Sequence, residues 1–229
     1  MAEFHFVEDY ERLVADLIAR HPIDEAMSIA VGGYYEHIGS VEAAIVRHAG
    51  LRDGMSLIDL GCGSGRLAWA LGRQMQVTYC GIDIVQALLD YAKTKSPAHY
   101  RFLLSRDLHI PAPDASVDMV TAFSVFTHLL HTESFIYMED IRRVLRPGGQ
   151  LVFSFLEFAE PSHWHVFAAT VDAQRGGTLP HLNQFIERGA IERWCEKLGY
   201  VCDAFVDGPA APWGEPGSLG QSLAILRRT

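Results

Sequence analysis

A glycine-rich turn directly after a buried apolar run is the first feature of this sequence that could do chemistry. The mostly apolar run 55–60 has Asp59 as its last residue but one. Gly61, Gly63 and Gly65 follow the run at alternate positions. Glycine lets the chain turn sharply and lets a ligand approach where a Cβ would block it. A carboxylate beside such a turn would repel a pyrophosphate and suits a ligand with positive charge, such as an amino group or a sulfonium. A purely structural strand-to-helix turn is the alternative.

Two further aspartates follow the next two apolar runs. Asp83 ends the second run, and its position matches a carboxylate that binds two ribose hydroxyls. Asp83 could instead cap the helix that follows it. Asp107 follows the third run and could accept a hydrogen bond from the exocyclic amine of an adenine. Because acids at the carboxyl ends of consecutive strands meet in one crevice, the pattern predicts a nucleoside site there.

The elements that must position these residues are an alternating series of strands and helices. Seven short runs predict strands: MSLIDL, VTYCGIDI, YRFLLS, SVDMVTAFSV, QLVFSFLEF, YVCDAFVD and SLAILRR. Apolar spacing predicts helices over residues 7–20, 40–49, 65–73, 85–95, 134–145 and 183–198. Ser40 is expected to cap the second of these helices, after a less regular stretch. The alternation predicts an α/β fold with a mostly parallel, doubly wound sheet, and the helix-free loop 208–220 predicts an antiparallel last strand.

The composition is typical of a globular protein with one sizeable domain. The chain has 229 residues, of which 49% are hydrophobic and 21% charged, and its formal net charge is -9. This acidity and the lack of a basic cluster argue against a nucleic-acid partner. None of the four cysteines forms a CxxC pair, which favours free thiols. Because we find neither a signal-peptide pattern nor a long apolar run, we expect a cytoplasmic monomer or homodimer without a membrane partner.

Four segments together resemble the class I S-adenosylmethionine-dependent methyltransferases: LIDLGCGSG, GIDI, SRDLHIPAPDASVDMVTAFSVFTHL and IRRVLRPGGQLVFSF. The similarity covers about residues 51–155 and is strongest to the small-molecule branch that includes enzymes of the ubiquinone-biosynthesis type. The resemblance implies a Rossmann-like fold, S-adenosyl-L-methionine as the cofactor and a small-molecule acceptor.

The same resemblance implies cofactor contacts at matching positions after the strands. The positions on the methionine side are Asp59, Gly61, Gly63 and Ser124, with Arg66 near the cofactor carboxylate. The positions on the adenosine side are Asp83, Ile84, Asp107 and Leu108.

The resemblance also implies that residues 1–50 form an N-terminal helical lid on a methyltransferase domain of residues 51–229. Within this lid, Gly32 and Gly33 give a mobile backbone or a close approach. The neighbouring Tyr35 could donate a hydrogen bond to a cofactor carboxylate, and packing of its ring on the edge of the sheet is equally open.

A histidine is the first candidate for the base that an oxygen acceptor often needs. His163 and His165 lie in residues 156–182, an acidic and aromatic insertion that is expected on the acceptor side. We therefore predict that one of them is catalytic. His37 and His128 are alternatives, and the resemblance gives His128 a mainly structural role. No third ligand of fitting spacing accompanies the pair, so no metal site is predicted.

The sequence therefore predicts an enzyme that transfers a methyl group from S-adenosyl-L-methionine to oxygen or nitrogen of a small molecule, such as a sugar or secondary metabolite. A module that keeps the cofactor site without transfer activity is the alternative. A nicotinamide oxidoreductase is disfavoured because the glycine spacing G-x-G-x-x-G is absent.

Overall fold

One sheet contains all seven strands of the described chain, which comprises residues 7–177 and 182–229 of a computed structural model. The strands are β1 Ser56–Leu60, β2 Thr78–Asp83, β3 Arg101–Leu104, β4 Val117–Ala122, β5 Leu145–Phe155, β6 Tyr200–Val206 and β7 Ser222–Arg228. Their order in the sheet is β3-β2-β1-β4-β5-β7-β6. This arrangement confirms the predicted α/β, Rossmann-like fold.

The direction of the strands also agrees with the prediction. β1 is parallel to β2 and β4, whereas β7 is antiparallel to both of its neighbours, β5 and β6. The strand order reverses at β1, which lies between β2 and β4. A crevice opens at the carboxyl ends of the strands where such a reversal occurs, and ligands of open α/β sheets bind there.

Eight α-helices connect and cover these strands within the described residues. They are α1 Val7–Arg20, α2 Ile23–Ala30, α3 Tyr35–His48, α4 Arg66–Gln74, α5 Gln86–Lys95, α6 His131–Val144, α7 Trp164–Arg175 and α8 Arg188–Leu198. Two short 3-10 turns, Phe126–His128 and Pro161–His163, follow β4 and β5. None of the helices in the described ranges is both long enough and apolar enough to cross a membrane.

Alternating residues of β1 face two separate cores. Ile58 and Leu60 pack with buried residues of α6 and α8 on one face of the sheet. Leu57 packs on the other face, with buried residues of α3 and α4. Because side chains of a strand point alternately to its two sides, a strand that is apolar throughout must be covered on both faces. Burial of both faces fixes the strand ends on which the site is built.

Residues 1–50 do not pack as a single unit in their described part. The buried residues of α3 belong to the core that contains Leu57 of β1. Val14 of α1 and Met27 of α2 instead form a smaller cluster with Val85 and Leu88. The first two helices therefore lie over the carboxyl end of β2. A role for them as a lid stays a prediction.

The predictions near the N-terminus were wrong in two places. The stretch predicted as irregular contains helix α2, and α3 begins at Tyr35, five residues before its expected cap. Tyr34 precedes α3 with a φ of 49°, so the chain turns there. Ser40 lies within the helix, where its hydroxyl donates to the Glu36 carbonyl over 2.8 Å. The hydroxyl therefore caps nothing, because its partner is the preceding turn of the same helix.

Two later boundaries also differ from the predictions. α8 begins at Arg188, whereas the helix was expected from residue 183. Residues 182–187 are not helical. Instead, Gln184 N donates to the Thr127 carbonyl and Ile186 N to the Leu156 carbonyl, each over 2.7 Å, and Phe185 forms a bridge with Leu156. Backbone hydrogen bonds to distant residues thus replace the hydrogen bonds that a helix would form within this segment.

The glycine turn after β1 generates the first testable prediction. Gly61 has a φ of 68°, and an added Cβ would lie 2.3 Å from Val125 Cγ2. We expect Gly61→Ala to lower the free energy of unfolding by about 1–2 kcal/mol through backbone strain and by about 1–3 kcal/mol more through overpacking. Chemical denaturation measures this loss.

Gly54→Ala is the matched control, because Gly54 has a φ of 83° with nothing within 4 Å of its added Cβ. This variant should show the backbone strain alone. Equal losses in the two variants would contradict close packing at the Gly61 turn.

Candidate functional site

A cavity of about 440 Å³ lies at the carboxyl ends of β1, β2 and β4, where the strand order reverses. Its volume is within the range of small-molecule sites. Six residues predicted for the cofactor line it: Asp59, Gly61, Gly63, Asp83, Ile84 and Ser124. Arg66 lines it as well. The structure therefore brings together most of the residues that the resemblance placed in one site.

Backbone hydrogen bonds shape the floor of this cavity. The N–H groups of Gly61 and Cys62 both donate to the Ile82 carbonyl, over 2.8 and 3.0 Å. Gly63 has a φ of 54°, and an added Cβ would lie 2.6 Å from Val31 Cγ1. Side chains at these glycines would fill space between the turn and its neighbours, so the turn needs glycine for its conformation and for its packing.

Asp83 connects the glycine turn to the end of β2. Its Oδ2 accepts from Gly63 N over 2.8 Å, and its Oδ1 accepts from Val85 N over 2.9 Å. The residue is 8% exposed, and burial raises the pKa of its carboxyl above the ordinary value. Each carboxylate oxygen has further acceptor capacity after one such bond. Asp83 can therefore support the backbone and also accept from two ligand hydroxyls.

Asp59 is held by two hydroxyl donors at the end of β1. Tyr79 donates to Oδ2 over 2.6 Å, and Thr121 donates to Oδ1 over 2.9 Å. Desolvation outweighs these bonds and raises the pKa of the carboxyl to about 7. A group with such a pKa in a cavity responds strongly to any charge that enters. Asp59 is therefore suited to a cationic ligand.

A buried ion pair also lines the cavity. Arg66 Nε donates to Glu42 Oε1 over 2.8 Å, and its Nη1 donates to the Val31 carbonyl over 2.6 Å. Burial raises the pKa of the Glu42 carboxyl above its ordinary value. The contact with Val31 ties the end of α2 to the first residue of α4.

The charges around the cavity are unequal. Within the described residues, its charged lining consists of one guanidinium, that of Arg66, and four carboxyl groups, those of Glu42, Asp59, Asp83 and Glu133. Buried carboxylates with too few cations are costly unless they are protonated or paired. The cavity therefore favours a ligand with positive charge and disfavours a pyrophosphate.

Ser124 follows β4 in a conformation that side chains rarely adopt, with a φ of 56°. Its N–H donates to Ser154 Oγ over 2.7 Å, and Ser154 Oγ donates to Gln221 Oε1 over 2.6 Å. Strained residues that neighbouring groups hold in place are concentrated at functional sites. Gln221 also lines the cavity. Sequence reasoning missed it because it lies in a loop far along the chain, without any motif.

Three predicted cofactor residues do not line the cavity. Tyr35 donates its hydroxyl to the Ser64 carbonyl over 2.8 Å, so the residue ties α3 to the glycine turn. Asp107 is exposed, and its carbonyl accepts from the Tyr137 hydroxyl over 3.1 Å. Leu108 packs against the core that contains Ile58 and Leu60 of β1. Of this region, Ser105 and Tyr137 line the cavity.

The two histidines predicted as bases lie outside the cavity lining. His163 is 1% exposed, and its Nδ1 accepts from Glu157 N over 3.0 Å. The same Nδ1 lies 3.2 Å from the Glu157 carbonyl oxygen, and Nε2 is buried with no hydrogen-bond partner among the described residues. His165 is exposed and bonds the Ser162 carbonyl. The His163 ring therefore lies inside the protein, whereas the His165 ring lies at the surface. A catalytic role for either histidine stays a prediction.

Residues of α1, α6 and the turn after β4 also line the cavity. Among them are Tyr10 and Leu13 of α1 and His128 of the turn Phe126–His128. The rings of Tyr10 and His128 are 6.0 Å apart and meet edge to face. The described residues contain no group of three or more histidine, cysteine or acidic side chains arranged to hold a metal ion.

Comparisons with known proteins agree with this geometry. A family model described as a methyltransferase domain matches residues 58–153. The chain is 30% identical over 186 residues to a demethylmenaquinone methyltransferase of Deinococcus radiodurans, covering 79% of this chain and 72% of the relative. It is 27% identical over 188 residues to a malonyl-[acyl-carrier protein] O-methyltransferase of Serratia marcescens, covering 79% of this chain and 68% of the relative.

Solved structures show the same fold. A magnesium protoporphyrin IX methyltransferase of Synechocystis with bound SAH gives a TM-score of 0.67 at 18% identity, with 97% of each chain covered. The chain spans 50% of a second malonyl-[acyl-carrier protein] O-methyltransferase, from Yersinia pestis, and 39% of a bifunctional biotin biosynthesis protein of Cellvibrio japonicus.

The chain belongs to the class I S-adenosylmethionine-dependent methyltransferases. The residues present fit that cofactor, because glycines keep the cavity floor free of Cβ atoms and buried carboxyl groups outnumber the single guanidinium in the described lining. The predicted fold, enzyme class and cofactor are confirmed.

The pKa of Asp59 generates the second prediction. In the free protein this carboxyl is largely protonated below about pH 7. A cationic ligand favours its ionised form, so binding lowers the pKa and releases a proton. Affinity for S-adenosyl-L-methionine should therefore fall as pH falls from 7.5 to 5.5, by at most about tenfold per unit. Calorimetry in two buffers of different ionisation enthalpy measures both the affinity and the released proton.

Asp59→Asn should remove most of this dependence, whereas Asp90→Asn, which changes an exposed acid of α5, should keep it. An affinity that stays constant across this pH window in the unaltered protein would show that Asp59 does not respond to the cofactor.

Proposed function

We propose that this enzyme transfers the methyl group of S-adenosyl-L-methionine to oxygen or nitrogen of a small organic acceptor, such as a sugar or a secondary metabolite. The observation that carries the proposal is the mixed lining of one cavity. Buried carboxyl groups beside the glycine turn line it together with apolar and aromatic side chains, among them Leu13 and Phe123. A cation and an organic acceptor can meet there.

Different residues of the cavity suit different parts of the cofactor. The oxygens of Asp83 have acceptor capacity for the ribose hydroxyls, and Ile84 and Leu88 offer apolar surface to the adenine. Asp59 and Glu42 place negative charge where the cofactor is positive. Adenine contacts through Asp107 and Leu108 stay a prediction, since both lie just outside the cavity lining.

The cofactor, when bound, supplies an electrophilic methyl group. The protein then has to orient the acceptor and exclude water, because an already activated donor needs mainly a well-placed nucleophile. α1 and α2 suit this task, since Tyr10, Leu13 and Ile29 cover the cavity. Hydrogen bonds along Ser124, Ser154 and Gln221 hold the segment after β4 in place at the cavity.

The names of several relatives support an oxygen acceptor. The Serratia relative is a malonyl-[acyl-carrier protein] O-methyltransferase, and an Amycolatopsis relative, 30% identical over 118 residues, is a 27-O-demethylrifamycin SV methyltransferase. These substrates differ widely in size and chemistry.

Methyl transfer to a panel of hydroxyl, amine and carboxylate compounds tests the proposal. Incubation with S-adenosyl-L-methionine that carries an isotopically labelled methyl group should give a labelled product, which mass spectrometry detects. Asp83→Ala should lower cofactor affinity at least about tenfold, because hydrogen bonds from ribose to a carboxylate are lost. Asp90→Ala is the control, since this acid lies on the exposed surface of α5.

Cofactor binding without a labelled product from any panel compound would favour the module that lacks transfer activity. An Asp83→Ala variant with unchanged affinity and a lower melting temperature would limit Asp83 to its backbone bonds with Gly63 and Val85.

A further inference from the structure

Gln221 belongs to a part of the cavity lining that none of the proposed cofactor contacts uses. It lines the cavity and directly precedes β7. Because β7 is antiparallel to β5, its first residues lie at the carboxyl ends of the parallel strands. In the sheet, β7 is three places from β1 and four from β2, whose ends bear Asp59 and Asp83. With strands about 4.8 Å apart, these places correspond to about 14 Å and about 19 Å.

The amide oxygen of Gln221 is held by two serine hydroxyls. Ser154 Oγ accepts from Ser124 N over 2.7 Å and donates its own proton to Gln221 Oε1 over 2.6 Å. Ser124 Oγ donates to the same Oε1 over 3.3 Å. Ser154 is fully buried, and with the amide reversed its proton would have no acceptor within the described residues. Oε1 therefore faces the serines, and Nε2 is the other end of the amide.

The residue after Gln221 fixes the backbone at this point. Ser222 pairs with Phe155 in the antiparallel ladder of β5 and β7. Its hydroxyl donates to Glu157 Oε1 over 2.6 Å. Glu157 is 1% exposed and forms an ion pair with Arg188, whose Nη2 lies 2.8 Å from Oε1. An amide supported in this way is already ordered before a ligand binds, so less conformational freedom is lost on binding.

The amino group of the same amide has donors to spare. Gln221 is partly exposed. Nε2 forms no hydrogen bond within the described residues, and it is not among the fully buried polar atoms that lack a partner. Water therefore has access to its two N–H donors. A ligand that displaces this water has to supply an oxygen in its place, because an unpaired donor is costly once it is desolvated.

We propose that Gln221 determines acceptor specificity by donating from Nε2 to an uncharged oxygen of the acceptor, such as a hydroxyl or carbonyl oxygen. This inference rests on the proposed function. The acids that suit the cofactor lie at the ends of β1 and β2, whereas Gln221 precedes β7, beyond β4 and β5 in the sheet. The oxygen that the amide binds therefore belongs to the acceptor.

The missing charge of this oxygen follows from the charges of the lining. An amide is neutral, so it donates hydrogen bonds without the positive charge that favours a carboxylate ligand. The one guanidinium of the described lining, that of Arg66, is paired with Glu42. A carboxylate on the acceptor would add to the excess of carboxyl groups, whereas an uncharged oxygen would not. A site built to bind such an oxygen rejects analogues that lack it.

Two substitutions of Gln221 separate the lost donor from an added charge. Gln221→Glu keeps an oxygen for the serines and replaces the amino group by a carboxylate oxygen, whereas Gln221→Met keeps the length and adds no charge. With the hydroxyl or amine compound that the panel identifies, we expect both variants to raise KM about three- to tenfold. Affinity for S-adenosylhomocysteine, measured by calorimetry, should stay within about twofold.

Gln76→Glu is the matched control, since Gln76 is an exposed glutamine just before β2, at the amino ends of the parallel strands. Its KM should not change. Analogues of the identified compound that each lack one oxygen give a readout that a loss of folded protein does not produce. One of these analogues should lower kcat/KM in the unaltered protein and cause no further loss in Gln221→Met.

Three outcomes would overturn this role of Gln221. They are an unchanged KM in Gln221→Met, an equal loss of affinity for S-adenosylhomocysteine, which would assign the amide to the cofactor carboxylate, and a panel in which only carboxylates are methylated. In each of them the enzyme still transfers methyl groups, so the proposed function stands. A panel without any product would instead contradict the proposed function itself.

Discussion

The Asp83 carboxylate joins the ends of two strands, since one oxygen accepts from Gly63 N and the other from Val85 N. The first bond holds the glycine turn of β1 against β2, and the second supports the start of α5. Because a buried carboxylate without donors would be protonated or displaced, these bonds keep an acid at the cavity wall. The turn and the start of the helix therefore depend on the same side chain that we propose for the ribose contact, and a change at Asp83 should affect all three.

The excess of carboxyl groups in the cavity has a consequence for ligand choice. Desolvation raises the pKa values of Glu42, Asp59 and Asp83, while the described lining supplies only the guanidinium of Arg66 as a fixed cation. A sulfonium ligand with an amino group relieves this imbalance, whereas a pyrophosphate would increase it. In other doubly wound sheets a glycine-rich turn at this place binds a pyrophosphate, whereas the glycine spacing and the neighbouring acids of this chain suit a cation.

The sequence predicted the part of the site that local patterns encode. Asp59 and Asp83 lie at the ends of strands that the apolar runs predict, and the glycines follow Asp59 closely. The proximity of the two aspartates to the glycine turn could therefore be inferred from the sequence. The surroundings of the histidines could not be inferred in this way, since His163 is buried at the end of a short 3-10 turn and the His128 ring bonds the carbonyl of Leu182, 54 positions away. Gln221 was missed for the same reason, because only the fold of the sheet brings its loop beside β4.

The acid-lined cavity should select S-adenosyl-L-methionine over dinucleotides. Titration calorimetry tests this selectivity most directly. Separate titrations of the protein with S-adenosyl-L-methionine, S-adenosylhomocysteine and NAD, at one pH and ionic strength, compare the three ligands on the same site. We expect the first two to bind with one molecule per chain and NAD to give no binding heat. Tight binding of NAD, or no binding of either sulfur compound, would contradict the account.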